Sequence, residues 1–129
     1  MGNKSALVTW VKGGQFIGTD SGQRSVVLST REEGGHVGMS PSELVLVAAA
    51  SCTAVDIVNI LKKKRLNLEA LEIAAEGTNA EEPPWPYETI HLTYRLRGSD
   101  LTEKAVRKAI ELSETRYCSV AASLRPQVE

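Results

Sequence analysis

Hydrophobic and polar positions divide the chain into three short runs, one long apolar segment, two alternating stretches and a closing amphipathic stripe. Ala6 to Val11 and Gln15 to Thr19 lean apolar and are separated by Gly13-Gly14. That pattern predicts a β-hairpin whose glycines accept positive φ in the turn. A polar turn, Asp20-Ser21-Gly22-Gln23, leads into a third strand over Arg24 to Ser29. Arg31 to Met39 holds three glycines and no periodicity, which predicts a loop.

The long apolar segment has a marked start. Ser40 is a good N-cap, Pro41 suits the first helical position, and Glu43 completes a capping box. From Leu44 to Leu61 the apolar run gives way only at Ser51, Cys52, Thr53, Asp56 and Asn59. Lys62-Lys63-Lys64-Arg65 then sets positive charge at the negative end of the helix dipole. Length alone would suit a membrane span, but Asp56 and Asn59 would then lie in hydrocarbon. The expectation is a buried central helix that needs cover on nearly every side. One small sheet covers one side, so a second copy of the chain, in an intertwined homodimer, is the expected partner.

After Asn67 the period changes to two. Leu71, Ile73 and Ala75 alternate with Glu72, Ala74 and Glu76, a half-buried strand. Residues 77 to 87, with Gly77-Thr78-Asn79 and three prolines around Trp85, predict a turn or loop. Ile90, Leu92, Tyr94 and Leu96 alternate with His91, Thr93, Arg95 and Arg97, a second strand ended by Gly98-Ser99-Asp100. From Leu101, apolar positions 101, 105, 106, 109, 110 and 112 share one helical stripe. Glu103 and Arg107 stand at ion-pairing spacing on the other side, and the helix is expected to fray at Thr115-Arg116. A short apolar stretch, Val120 to Leu124, comes after Cys118. The order βββ-α-ββ-α predicts an α+β fold with antiparallel sheets.

Composition narrows the function classes. Apolar residues at 42% and charged residues at 24% are those of a globular chain, and 129 residues fit one domain. A net charge of -1 argues against nucleic acid or a membrane surface held by bulk electrostatics. Two cysteines are too few for a disulfide-rich secreted scaffold. Met1 to Ser5 runs into a strand pattern without a signal-peptide core, so a cytoplasmic protein is expected.

Candidate chemistry rests on Cys52 and Cys118. They form no CxxC motif, and with His36 and His91, each placed singly, they offer no short chelating pair, so no metal is expected. Isolated free cysteines are ordinarily small core hydrophobes. Here the polar run Ser51-Cys52-Thr53 interrupts an apolar helix, and Cys118 lies between Arg116-Tyr117 and Ser119. Both settings point beyond packing. No histidine or aspartate base is placed by the sequence to assist nucleophilic attack on other electrophiles.

The strings Met39-Ser40-Pro41-Ser42-Glu43-Leu44, Ala48-Ala49-Ala50-Ser51-Cys52-Thr53-Ala54 and Ile60-Leu61-Lys62-Lys63 resemble the central helix of the OsmC/Ohr family. Arg116-Tyr117-Cys118-Ser119-Val120 resembles that family's second cysteine segment, and the OsmC-like branch is the better match. The resemblance covers nearly the whole chain and implies a single OsmC-like domain over 1-129 that forms an intertwined homodimer. It further implies thiol peroxidase chemistry. Cys52 would attack an organic hydroperoxide and become a sulfenic acid, and Cys118 would condense with it to a disulfide. A dithiol reductant of the lipoyl type would restore the pair, with no cofactor, nucleic acid or membrane involved. Disulfide formation requires the two Cα atoms to come within roughly 7 Å.

A thiol inside a helix needs a nearby cation to hold its thiolate. The family supplies an arginine from an N-terminal turn, for which Arg24 is the candidate here and Arg31 the reserve. The family orients that arginine with a glutamate at the start of the central helix. In this chain the matching position is Ser42, a departure from the pattern. Glu43, next along, faces about 100° away and is also the capping-box residue. The competing expectation is a non-enzymatic dimer of the same fold that binds an apolar small ligand at the subunit interface.

Overall fold

The computed structural model describes residues 3–30 and 37–124. The chain divides into two compact units, Met1–Val45 and Leu46–Glu129. The first holds an antiparallel sheet in the order β1 (Ala6–Lys12), β2 (Gln15–Asp20), β3 (Ser25–Ser29). Gly13, at φ 50°, makes the first turn as the sequence predicts. The second turn is built by Asp20, whose Oδ1 accepts the N–H groups of Gly22 (2.8 Å) and Arg24 (2.9 Å). The expected loop after β3 is described only from residue 37, the earlier part lying outside the described residues. Its end returns along β3, where Met39 bridges Leu28 in parallel and Ser29 Oγ donates to the Gly38 carbonyl at 2.9 Å.

Helix α1 (Pro41–Lys63) begins and ends on local chemistry. Ser40 Oγ accepts the Glu43 N–H at 3.3 Å, the N-cap half of the expected capping box, and its hydroxyl donates to Glu43 Oε1 at 2.9 Å. At the other end Arg65 adopts φ 58°. The Leu66 N–H reaches the Leu61 carbonyl (3.0 Å) and the Arg65 N–H that of Lys62 (2.9 Å). This is a Schellman ending with arginine where glycine is usual.

In the second unit β4 (Ala70–Asn79) and β5 (Tyr87–Arg97) pair antiparallel, with Leu71 opposite Leu96 and Ile73 opposite Tyr94. Both strands run further than their periodicity predicts. The expected turn Gly77-Thr78-Asn79 is the end of β4, and the loop shrinks to residues 80 to 86. Gly77 makes this possible, because the Tyr87 ring lies where its Cβ would stand. Asn79 Nδ2 closes the loop by donating to the Trp85 carbonyl at 2.8 Å.

Helix α2 (Glu103–Leu112) is capped by Thr102, whose side chain accepts the Ala105 N–H at 3.1 Å. The predicted Glu103–Arg107 pair forms at 2.8 Å. The chain does not fray after α2. It widens into a π turn, Ser113–Tyr117, closed by the Cys118 N–H on the Ser113 carbonyl at 2.8 Å. The closing apolar stretch is a further short helix, α3 (Ser119–Leu124).

The core of this unit is Ile57 and Leu61 of α1 with Ala109 of α2, covered by Leu71, Ile73, Tyr94 and Leu96 from the sheet. The expectation that α1 is buried nearly all round is not met within one chain. Ala49, Thr53, Ile57 and Leu61, one residue per turn, are its buried positions, while Val47, Val55 and Val58 are exposed. α1 is also long and apolar enough to cross a membrane by length and composition. Its buried stripe packs against a sheet and α2 whose outer positions carry charge, as the core helix of a globular unit does.

Candidate active site

Cys52 sits in the middle of α1 and Cys118 at the junction between the π turn and α3. Both are free. Their sulfurs and a carboxylate oxygen of Asp56 all lie within 4.8 Å of one another. The π turn brings this about. An α-helical continuation of α2 would carry the chain forward in register, whereas the extra residue in the turn reorients Cys118 and the start of α3. Ser113, fully buried at its start, donates to Asp56 Oδ2 at 2.7 Å and fixes the end of α2 against α1.

Cys118 acts as the cap of α3: its Sγ accepts the Ala121 N–H at 3.3 Å, the N-cap geometry usually made by serine or aspartate. Burial pushes its pKa up from 9.0 to about 11. A hydrogen bond to Cys52, which keeps the proton on Cys118, adds to the rise, and the Ala121 and Val120 N–H groups oppose it. Tyr94 of β5 completes one wall. Its hydroxyl donates to Glu114 Oε1 at 3.2 Å and bonds the side chain of buried Thr53, and burial pushes its pKa up to about 12. Tyr94 therefore stays a hydrogen-bond donor at neutral pH.

The other candidate residues lie in the first unit. The Arg24 guanidinium pairs with Asp20 at 3.3 Å and is exposed. Glu43 is held at the start of α1 by Ser40, whose hydroxyl donates to its carboxylate. Arg31 and His36 lie outside the described residues. In the second unit His91 is exposed on β5 opposite Glu76, on the polar face its alternation predicts.

Sequence reasoning placed no acid or base beside the thiols, and Asp56 corrects that. The available signal was spacing: Asp56 lies one helical turn beyond Cys52 and so shares its face. Asp56 also lines a cavity of about 530 Å³ with Asn59, Ile60, Lys63, Lys64, Leu112 and Tyr117. That volume lies within the range of small-molecule sites.

The raised Cys118 pKa has a measurable consequence. Between pH 9.0 and about 11 the native thiol keeps its proton while an unfolded one ionises, so native stability falls as pH rises through that window. Alkylation of Cys118 by iodoacetamide, read by peptide mass spectrometry, is expected to stay slow to pH 9 and rise toward pH 11. Cys52→Ala removes one cause of the rise and should move the midpoint down. An unshifted midpoint in that variant would mean that the two sulfurs do not interact.

The family model described as OsmC-like protein matches residues 33–129. Protein YhfA of Escherichia coli K12 is 36% identical over 123 residues, covering 95% of this chain and 90% of YhfA. A hypothetical protein from Aquifex aeolicus VF5 has a solved structure 31% identical in sequence, with a TM-score of 0.87 over 100% of this chain and 92% of its own. The organic hydroperoxide resistance protein OhrB of Bacillus subtilis, at 16% identity and a TM-score of 0.63, covers 97% of this chain and 93% of its own and shares the fold. With three-quarters of its length under the family model and both cysteines inside the match, the chain belongs to the OsmC family.

Proposed function

We propose that the protein is a cysteine-dependent thiol peroxidase that reduces organic hydroperoxides. The observation that carries this reading is the meeting of two free thiols from distant parts of an OsmC-family chain within 4.8 Å. A fold shared with a protein named for organic hydroperoxide resistance supports it.

In the first step the Cys52 thiolate attacks the terminal oxygen of the hydroperoxide. The O–O bond breaks, the alkoxide leaves as alcohol with a proton, and Cys52 becomes a sulfenic acid. Cys118 sulfur then attacks Cys52 sulfur, the S–S bond forms, and the sulfenic oxygen leaves as water. Two electrons have passed from the thiol pair to the peroxide, and a dithiol reductant returns them by exchange. Cys118 must lose a proton to react, and Asp56 is the carboxylate near enough to receive it. Arg24 is the proposed cation for the Cys52 thiolate, with Glu43 as its proposed orienting partner. A reducing cytoplasm would keep both thiols available.

The working form in this proposal is a homodimer. Val47, Val55 and Val58 of α1, together with Leu7, Val8 and Trp10 of β1, are exposed in a single chain. Exposed apolar surface of this kind marks an interaction face.

Intact mass spectrometry tests the reading. Reduced protein given one equivalent of cumene hydroperoxide should lose two hydrogens as the Cys52–Cys118 disulfide forms. Cys118→Ser, unable to resolve, should instead gain one oxygen and label with dimedone. A wild-type mass that does not change would defeat the proposal.

A further inference from the structure

We propose that the reduced thiol pair and Asp56 form a binding site for a thiophilic divalent cation, zinc being the best chemical fit. This inference does not rest on peroxidase activity. It rests on three donor atoms, two sulfurs and one carboxylate oxygen, converging within 4.8 Å from α1 and the start of α3. Around a tetrahedral zinc ion two sulfurs stand roughly 3.8 Å apart, from Zn–S distances of about 2.3 Å. The 4.8 Å limit within which the three donors lie is about 1 Å wider than that spacing.

The surroundings suit an ion. Cys52 and Asp56 lie one turn apart on one helix face, the arrangement that lets two residues of a rigid element share a metal. Ser113 Oγ already orients the Asp56 carboxylate by donating to Oδ2 at 2.7 Å. Carboxylate ligands in metal sites are usually held in this way by a second group. The Ala121 N–H on Cys118 Sγ, at 3.3 Å, supports a sulfur that carries negative charge. Two sulfurs and an oxygen favour zinc over magnesium or calcium, which take oxygen donors. Three protein donors leave a fourth position open to water or another small ligand. Disulfide formation and ion binding each use both sulfurs, so they exclude one another.

The test is titration of the fully reduced protein with Co²⁺, then displacement by Zn²⁺. One equivalent of Co²⁺ should give thiolate-to-cobalt charge-transfer absorption and the visible bands of a tetrahedral ion, both lost when Zn²⁺ is added. Cys52→Ser and Cys118→Ser should each remove part of the charge-transfer intensity. Asp56→Asn should weaken binding at least tenfold, and Ser113→Ala, which leaves all three donors in place, should weaken it roughly tenfold. Circular dichroism of each variant checks that the fold is kept. Absence of charge transfer, or equal affinity in wild type and all four variants, overturns the site. A protein that binds Co²⁺ but ignores cumene hydroperoxide keeps this inference and loses the peroxidase reading; the reverse result does the opposite.

Discussion

Cys52→Ser is expected to bring hydroperoxide consumption down to the background of an ordinary thiol, a loss of at least about 10³-fold in rate. The oxygen of serine has no accessible anionic state near neutral pH and cannot open the O–O bond as a thiolate does. Cys118 cannot substitute. It is buried, and its pKa is held near 11, so little thiolate is present to attack a peroxide. Cys118→Ser should behave differently: a single rapid oxidation of Cys52 survives, while repeated turnover with a dithiol falls away. Stopped-flow kinetics of both variants separates the two roles. Equal and complete loss in both, with the fold intact, would mean that the sulfurs do not act in sequence.

Ile57→Ala is expected to cost about 2–5 kcal/mol of stability, the range for removing a fully buried aliphatic side chain. Ile57 belongs to the cluster with Leu61 and Ala109 that ties α1 to α2 and to the sheet. Because Cys52 and Asp56 ride on that helix, the same variant should also loosen the thiol pair. Val55 provides the contrast, since it is 59% exposed in one chain. If α1 worked uncovered, Val55→Ala would change stability by under about 0.5 kcal/mol. The proposed dimer covers this face, so a cost nearer ~1–2 kcal/mol is expected, with a concentration-dependent midpoint in urea. A concentration-independent midpoint and a negligible cost would count against the dimer. An Ile57→Ala cost below about 1 kcal/mol would count against the core itself.

Features decided within a few residues were legible in the sequence. Ser40 caps the Glu43 N–H and binds its carboxylate as their spacing predicts, and Gly13 makes the first turn. Alternation found the inward faces of β4 and β5, with Ile73 opposite Tyr94. Features decided by distant contacts were not. Gly77 and Asn79 are generic turn residues, yet here they extend a strand, because Tyr87 needs the space above Gly77. The stripe Ala49, Thr53, Ile57, Leu61 is hidden in α1 because nearly every face of that helix is apolar. The π turn has no local signature; Ser113 reaches back to Asp56 across most of the second unit.

The site shows the same division. Cys52 stands out in a polar interruption of an apolar helix and Cys118 in a polar setting, and the family resemblance pairs them. Asp56 was visible only as an obstacle to a membrane reading, and its place beside the sulfurs depends on how α2 ends. Arg24 and Glu43 came from the resemblance, and each has a local structural role: an ion pair with Asp20 and a helix cap. If they also act on Cys52 as proposed, Arg24→Ala and Glu43→Gln each slow its oxidation in stopped-flow kinetics.

The most direct test of the central claim is the rate at which the reduced wild-type protein loses its thiols to cumene hydroperoxide, measured by stopped flow beside hydrogen peroxide and free cysteine. The account predicts loss of both thiols, far faster than free cysteine and faster with the organic peroxide. Loss no faster than free cysteine would contradict it and leave the subunit interface of the proposed dimer to be tested as a binding site for an apolar ligand.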